Sequence, residues 1–135
     1  MAHRVEDLKV WQRAQEFWVA VNAIINRSGF QRDRGLRDQV KDAADSILSN
    51  IAEGFEQPTD RAFAKYLYTS KASTAEVRKR LLMACHRGYI TEEEFTSRNE
   101  LGDEVARMTT GLIKYLVKSD RKDRGLGPDQ RPKRD

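Results

Sequence analysis

The sequence predicts an all-α protein: one antiparallel up-down-up-down four-helix bundle. Three observations predict it. Apolar residues recur every three or four positions through four successive segments, the spacing of a single helix face. Glycine or a capping residue separates those segments. Hydrophobic residues make up 39% and charged residues 34% of the chain, a mixture that suits short-looped amphipathic helices.

The first helix is read over about 8–28, because Val10, Trp11, Ala14, Phe17, Trp18, Val21, Ile24 and Ile25 share one stripe, with Gly29 as its stop. The second, over about 33–53, places Leu36, Val40, Ala43, Ala44, Ile47 and Ile51 on one face, with Gly54 at its end. The third, over about 60–87, follows Pro58 and Thr59 and carries Phe63, Leu67, Ser70, Thr74, Val77, Leu81 and Ala84 before Gly88. Small residues on the second and third helices, among them Ala43, Ala44, Ser70 and Ser73, allow a close approach or simply fill the core. The fourth, over about 92–120, opens on a Thr91-x-x-Glu94 capping box with Ile90 and Phe95 as a hydrophobic staple. Its buried stripe is read as Leu101, Val105, Met108, Leu112 and Leu116. Short connections between helices of this length favour antiparallel neighbours.

At 135 residues the chain holds one domain, 1–120, followed by a tail, 121–135. Gly125, Gly127, Pro128 and Pro132 lie among the tail's charges, and the apolar pattern stops, so the tail is expected to be disordered. It carries six cations, Arg121, Lys122, Arg124, Arg131, Lys133 and Arg134, and three acids. That accounts for +3 of the formal +4 charge. The body is nearly neutral, so local patches, not net charge, must carry any affinity for a polyanion.

No stretch reaches the eighteen or so apolar residues of a membrane span, and no signal segment follows Met1. The expectation is a cytoplasmic protein with no membrane contact. One cysteine, Cys85, and two histidines, His3 and His86, leave neither a disulfide nor a metal-ligand set. Neighbouring Cys85 and His86 point apart on a helix, which argues against a catalytic pair. No constellation of acid, base and nucleophile is placed by the sequence, so neither an enzyme nor a cofactor is expected.

Asp7-Leu8-Lys9-Val10-Trp11-Gln12, Gly35-Leu36 with Gln39, Ser46-Ile47 and Asn50-Ile51-Ala52-Glu53-Gly54 occur in an informative order. Phe63 with Leu67, Ser73 with Glu76, and Gly88-Tyr89-Ile90 continue it. Together they resemble the four-helix-bundle family encoded within intervening sequences of bacterial large-subunit (23S) ribosomal RNA genes. The resemblance covers roughly 7–118. It implies a cyclic homo-oligomer, a pentamer being preferred, with a nucleic-acid-binding role. The family is more distantly similar to the accessory variability proteins of diversity-generating retroelements, which bind nucleic acid through basic surfaces. The chain departs from the family in having Lys41-Asp42 where consecutive arginines are usual, and Thr59-x-x-Ala62 where a Ser-x-x-Glu box is common.

Several residues have two readings. Asn50, Glu53 and Gly54 form either a recognition site or an architectural element in which Asn50 bridges helices, Glu53 accepts donors and Gly54 ends a helix. Ser73 and Glu76 share a face and can join a polar network. Trp11 and Trp18, seven residues apart, are a core or interface stripe, or a stacking surface. Arg61, Lys65, Lys71, Arg78, Lys79 and Arg80 give the third helix a positive bias, either phosphate-binding or merely solvated. With the tail cations they are the candidate contacts for RNA or DNA. The rival expectation is an adaptor that binds a protein partner through apolar helix faces.

Overall fold

The computed structural model describes residues 3–124, with side chains through Arg121. A 3-10 turn, Val5–Asp7, leads into α1 (Lys9–Ile25), a short α2 (Ser28–Arg32), α3 (Arg34–Phe55), α4 (Asp60–His86) and α5 (Glu92–Arg124). The described residues contain no strand.

The four long helices are the α1, α3, α4 and α5 of a bundle, and side-chain pairs fix their directions. Ser46 meets Ser73 while Gly54 meets Phe63, so α3 and α4 run antiparallel. Arg78 reaches Asn99, and Arg13 reaches Glu104 while Arg98 reaches back to Ala20. α5 therefore opposes both α4 and α1. Trp18 binds Asp45 and Arg37 binds Asn26, which closes the square between α1 and α3.

The core is aliphatic with three phenylalanines, Phe17, Phe30 and Phe63. Phe17, Ile24, Phe30, Val40, Ile47, Ile51, Leu67, Val77, Leu81 and Val105 are all fully buried. At roughly 1.5–3 kcal/mol for burying each large side chain, this face-to-face burial is what holds the amphipathic helices. The α3–α4 seam is small and polar. Ser70 Oγ donates to Ile47 O at 2.9 Å and Thr74 Oγ1 to Ser70 O at 3.0 Å, so both buried hydroxyls are satisfied and the backbones can approach.

Five expectations change. The first helix ends at Ile25, not near Ser28, because the chain turns there to insert Phe30 into the core through α2. Phe30 packs on Tyr89 with ring centroids 5.6 Å apart. Gly29 is no stop: a Cβ there would stand 2.8 Å from Tyr89 Cδ1. Gly54 likewise lies inside α3, which continues to Phe55. Its missing side chain lets Phe63 and Tyr66 of α4 come within 2.8 Å of where a Cβ would sit. Left-handed backbone occurs among the described residues only at Gly88, φ 79°, just past α4.

Finally, α5 runs through Arg124, so 121–124 are helical where a disordered tail was expected. The remainder of that tail, with Arg131, Lys133 and Arg134, lies outside the described residues. The buried stripe of α5 is also rotated. Gly102, Val105, Thr109, Ile113 and Leu116 face inward, while Leu101, Met108 and Leu112 are only half-buried at its margin.

Candidate nucleic-acid interface

Of the residues expected to form an architectural signature, Ser46, Asn50 and Ser73 do come together. Ser46 Oγ and Ser73 Oγ lie 2.8 Å apart, and Asn50 Nδ2 donates to Ser46 O at 2.8 Å and to Ser46 Oγ at 2.9 Å. Asn50 thus braces the inter-helix serine pair without itself crossing to α4. Trp11 is half-buried against the core. Gln39 and Glu53 are exposed, so the Glu53 side chain is a surface group. Glu76 stays on its own helix, 3.5 Å from Arg80.

The cations of α4 divide into two groups. Arg78 and Arg80 are tied into the bundle. Arg78 Nε donates to Asn99 Oδ1 at 2.9 Å, and its stem lies against Gly102. Arg80 reaches Glu76 Oε1 and the Met83 sulfur. Both therefore already have partners within the bundle. Arg61, Lys65 and Lys79 are exposed and Lys71 is half-buried. On α5, Arg121 is exposed, while Lys122 and Arg124 continue the helix.

Lys71 lines a shallow cleft of about 450 Å³ between α4 and α5, together with Ala106, Arg107, Thr110, Gly111 and Lys114. Asp103 is the acid of this neighbourhood, and it already faces Arg78 at 3.6 Å and Arg107 at 3.2 Å. Among the described residues neither Lys71 nor Lys114 has a carboxylate partner. The cleft is therefore net positive. Thr110 adds a hydroxyl that can donate to an anion.

Arg107 and Lys114 line this candidate site and Lys118 follows on α5; sequence reasoning missed all three. Two signals mark them. Arg107, Lys114 and Arg121 are spaced by seven, which puts them on one face of α5 at about 10.5 Å intervals along its axis. Charge also reverses along the helix: residues 92–104 hold six acids and one base, and residues 105–124 hold six bases and two acids. Complementing the helix dipole explains only part of this, since that effect fades within the terminal turns. Arg107 and Lys114 lie further in.

Gly111 is the unusual member. It sits in the middle of a 33-residue helix and a Cβ placed there would meet nothing within 4 Å. Packing does not require a glycine here, yet glycine costs about 0.8–1.0 kcal/mol against alanine in a helix interior.

The far end of the bundle is clasped by ion pairs. Asp33 caps α3 through Leu36 N and accepts from the Tyr89 hydroxyl at 2.8 Å and from Arg87 at 2.6 Å. The Tyr89 hydrogen bond, with help from Arg87 and Leu36, holds the Asp33 carboxyl below its ordinary range despite an opposing desolvation. Glu94 completes its capping box with Thr91, at 2.9 and 3.1 Å, and pairs with Arg27. The Thr91 N–H and then Arg27 lower its pKa. Among the described residues, no group of three His, Cys, Asp or Glu side chains converges to hold a metal, and no helix is long and apolar enough to cross a membrane.

Comparison with known proteins agrees with the bundle. A crystal structure of a protein of unknown function from the S23 ribosomal protein family of Bacteroides thetaiotaomicron VPI-5482 superposes with a TM-score of 0.70 at 25% identity, over 78% of this chain and 98% of that one. No curated protein matches the chain. A family model described as 23S rRNA-intervening sequence protein matches residues 6–111, which takes in Lys71 and Arg107 and stops short of Lys114. With most of its length matched and its bundle shared, the chain belongs to the 23S rRNA-intervening sequence protein family.

Proposed function

We propose that this chain is a non-catalytic, nucleic-acid-associated accessory or scaffold module that holds a phosphate backbone on its α4–α5 face. The observation that carries the reading is the cleft in which Lys71 and Lys114 stand beside Arg107 with no carboxylate partner among the described residues. Lysines placed this way exchange condensed counterions for phosphate, which gives affinity without base sequence. Exposed Lys65 and Arg61 extend the surface along α4, and Lys118 and Arg121 extend it along α5.

One such face is weak. The proposal therefore includes assembly as a homo-oligomer, five subunits preferred, because repeated faces on one polyanion raise the effective concentration of each successive contact. Light scattering tests this, and a monomer persisting at micromolar concentration contradicts it. Nucleic acid retained through purification, identified by sequencing, tests the binding itself; protein that emerges free of it at low salt and binds no added strand contradicts the proposal.

A protein-binding adaptor is the second reading, and it rests on a different surface. The outer face of α1 around Gln12, Gln15, Glu16, Val19 and Ala20 forms a shallow depression in which Val19 is 56% exposed. Association through that face would vary little with salt, whereas phosphate binding falls steeply.

A further inference from the structure

We infer that the α4–α5 face takes single-stranded rather than duplex nucleic acid, with bases stacked on Tyr68 and Tyr115 and the strand crossing α5 over Gly111. The inference rests on the phosphate-binding reading above and names the form of the ligand. Tyr68 is 57% exposed and Tyr115 is 62% exposed, and both lie level with the basic half of α5, Tyr68 on the cleft side and Tyr115 across the helix ridge. Tyr68 stands one turn from Lys65 and one turn from Lys71, on the same side of α4. Arg78 lies opposite Gly102, and the helices are antiparallel. Stepping ten residues along each puts Tyr68 level with Leu112, beside the cleft lined by Lys71, Thr110 and Lys114.

Tyr115 is on the other flank of α5. Between its ring and the cleft runs the exposed ridge of that helix, where Gly111 precedes Tyr115 by one turn. At Gly111 the ridge has no side chain and open space above it. A glycine that packing does not require, at the point where a ligand would cross, fits the use of glycine for close approach to a backbone. An exposed ring flanked by lysines stacks on an unpaired base, whereas a duplex keeps its base faces stacked on one another. Every base has such a face, so the site should tolerate sequence while rejecting pairing.

The test uses the full chain and labelled 12-nucleotide single strands of mixed sequence, as RNA and as DNA, with the matching duplexes, in fluorescence anisotropy. Single strands of at least one sugar type should bind about tenfold or more tightly than the duplex. Tyr68→Ala and Tyr115→Ala should each weaken single-strand binding by about tenfold and leave its salt slope unchanged. Gly111→Gln should raise Tm while weakening the same binding, a combination that a purely structural glycine would not produce. Duplex bound as tightly as single strand, or tyrosine variants that bind like the parent, overturns the inference. If Lys71→Gln and Lys114→Gln alone lose affinity, the phosphate face stands and the single-strand inference falls. If no variant of either class changes binding, both fall.

Discussion

Gly54 and Leu67 show how opposite features of a side chain serve the same seam. Leu67 fills the core completely, so Leu67→Ala removes transfer energy and leaves a cavity, at an expected cost of about 2–5 kcal/mol in urea unfolding. A loss below about 0.5 kcal/mol would place it on the surface. At Gly54 the damage comes from adding an atom. The new Cβ of Gly54→Ala would lie 2.8 Å from Phe63 Cδ1 and Tyr66 Cβ and 3.2 Å from the Phe63 carbonyl. Backbone cannot swing aside, so the substitution should cost about 1–3 kcal/mol even though alanine is the better helix former. A stabilised variant would show that α3 and α4 do not approach as closely as described. Sequence alone misassigned this glycine, because a glycine kept for positive φ and one kept for a missing Cβ are identical on paper. Gly88 and Gly54 are one of each.

At the scale of elements, whatever is settled by neighbours in sequence was readable, and whatever is settled by neighbours in space was not. The start of α5 at the Thr91–Glu94 box and the start of α4 at Thr59, whose Oγ1 accepts from Ala62 N at 3.1 Å, are local hydrogen-bond patterns. The break between α1 and α2 is set by where Phe30 must sit under Tyr89, which no local pattern announces. The cleft was invisible for the same reason: the spacing of Arg107 and Lys114 is plain, but only the packing of α5 on α4 brings Lys71 to them.

The clasp at the α2–α3 and α4–α5 connections makes a prediction about acid. Asp33 and Glu94 both have folded pKa values below their ordinary 3.8 and 4.5. Such groups contribute stability that is complete above the ordinary value and is lost as pH falls through the folded one. Thermal stability should therefore drop below about pH 4, on ordinary carboxyl values. Asp33→Asn, which keeps a capping oxygen and removes the charge, should lower Tm at neutral pH and flatten that acid limb. An unchanged limb would mean that the Asp33, Arg87 and Tyr89 contacts do not persist in solution.

For the whole molecule, we propose that a nearly neutral bundle binds a polyanion because its charge is sorted in space. Six acids and one base on residues 92–104 give way to six bases and two acids on residues 105–124, and antiparallel packing sets the basic half beside Lys65 and Lys71. The most direct test is the slope of log affinity against log salt for a single-stranded oligonucleotide, measured for the parent and for the Lys71→Gln, Lys114→Gln double variant. At about 0.7 per phosphate contact, the variant's slope should be shallower by about 1.4, with the two proteins furthest apart at low salt and converging as salt rises. Equal affinity and equal slope would contradict the claim and remove the α4–α5 cleft as the binding site.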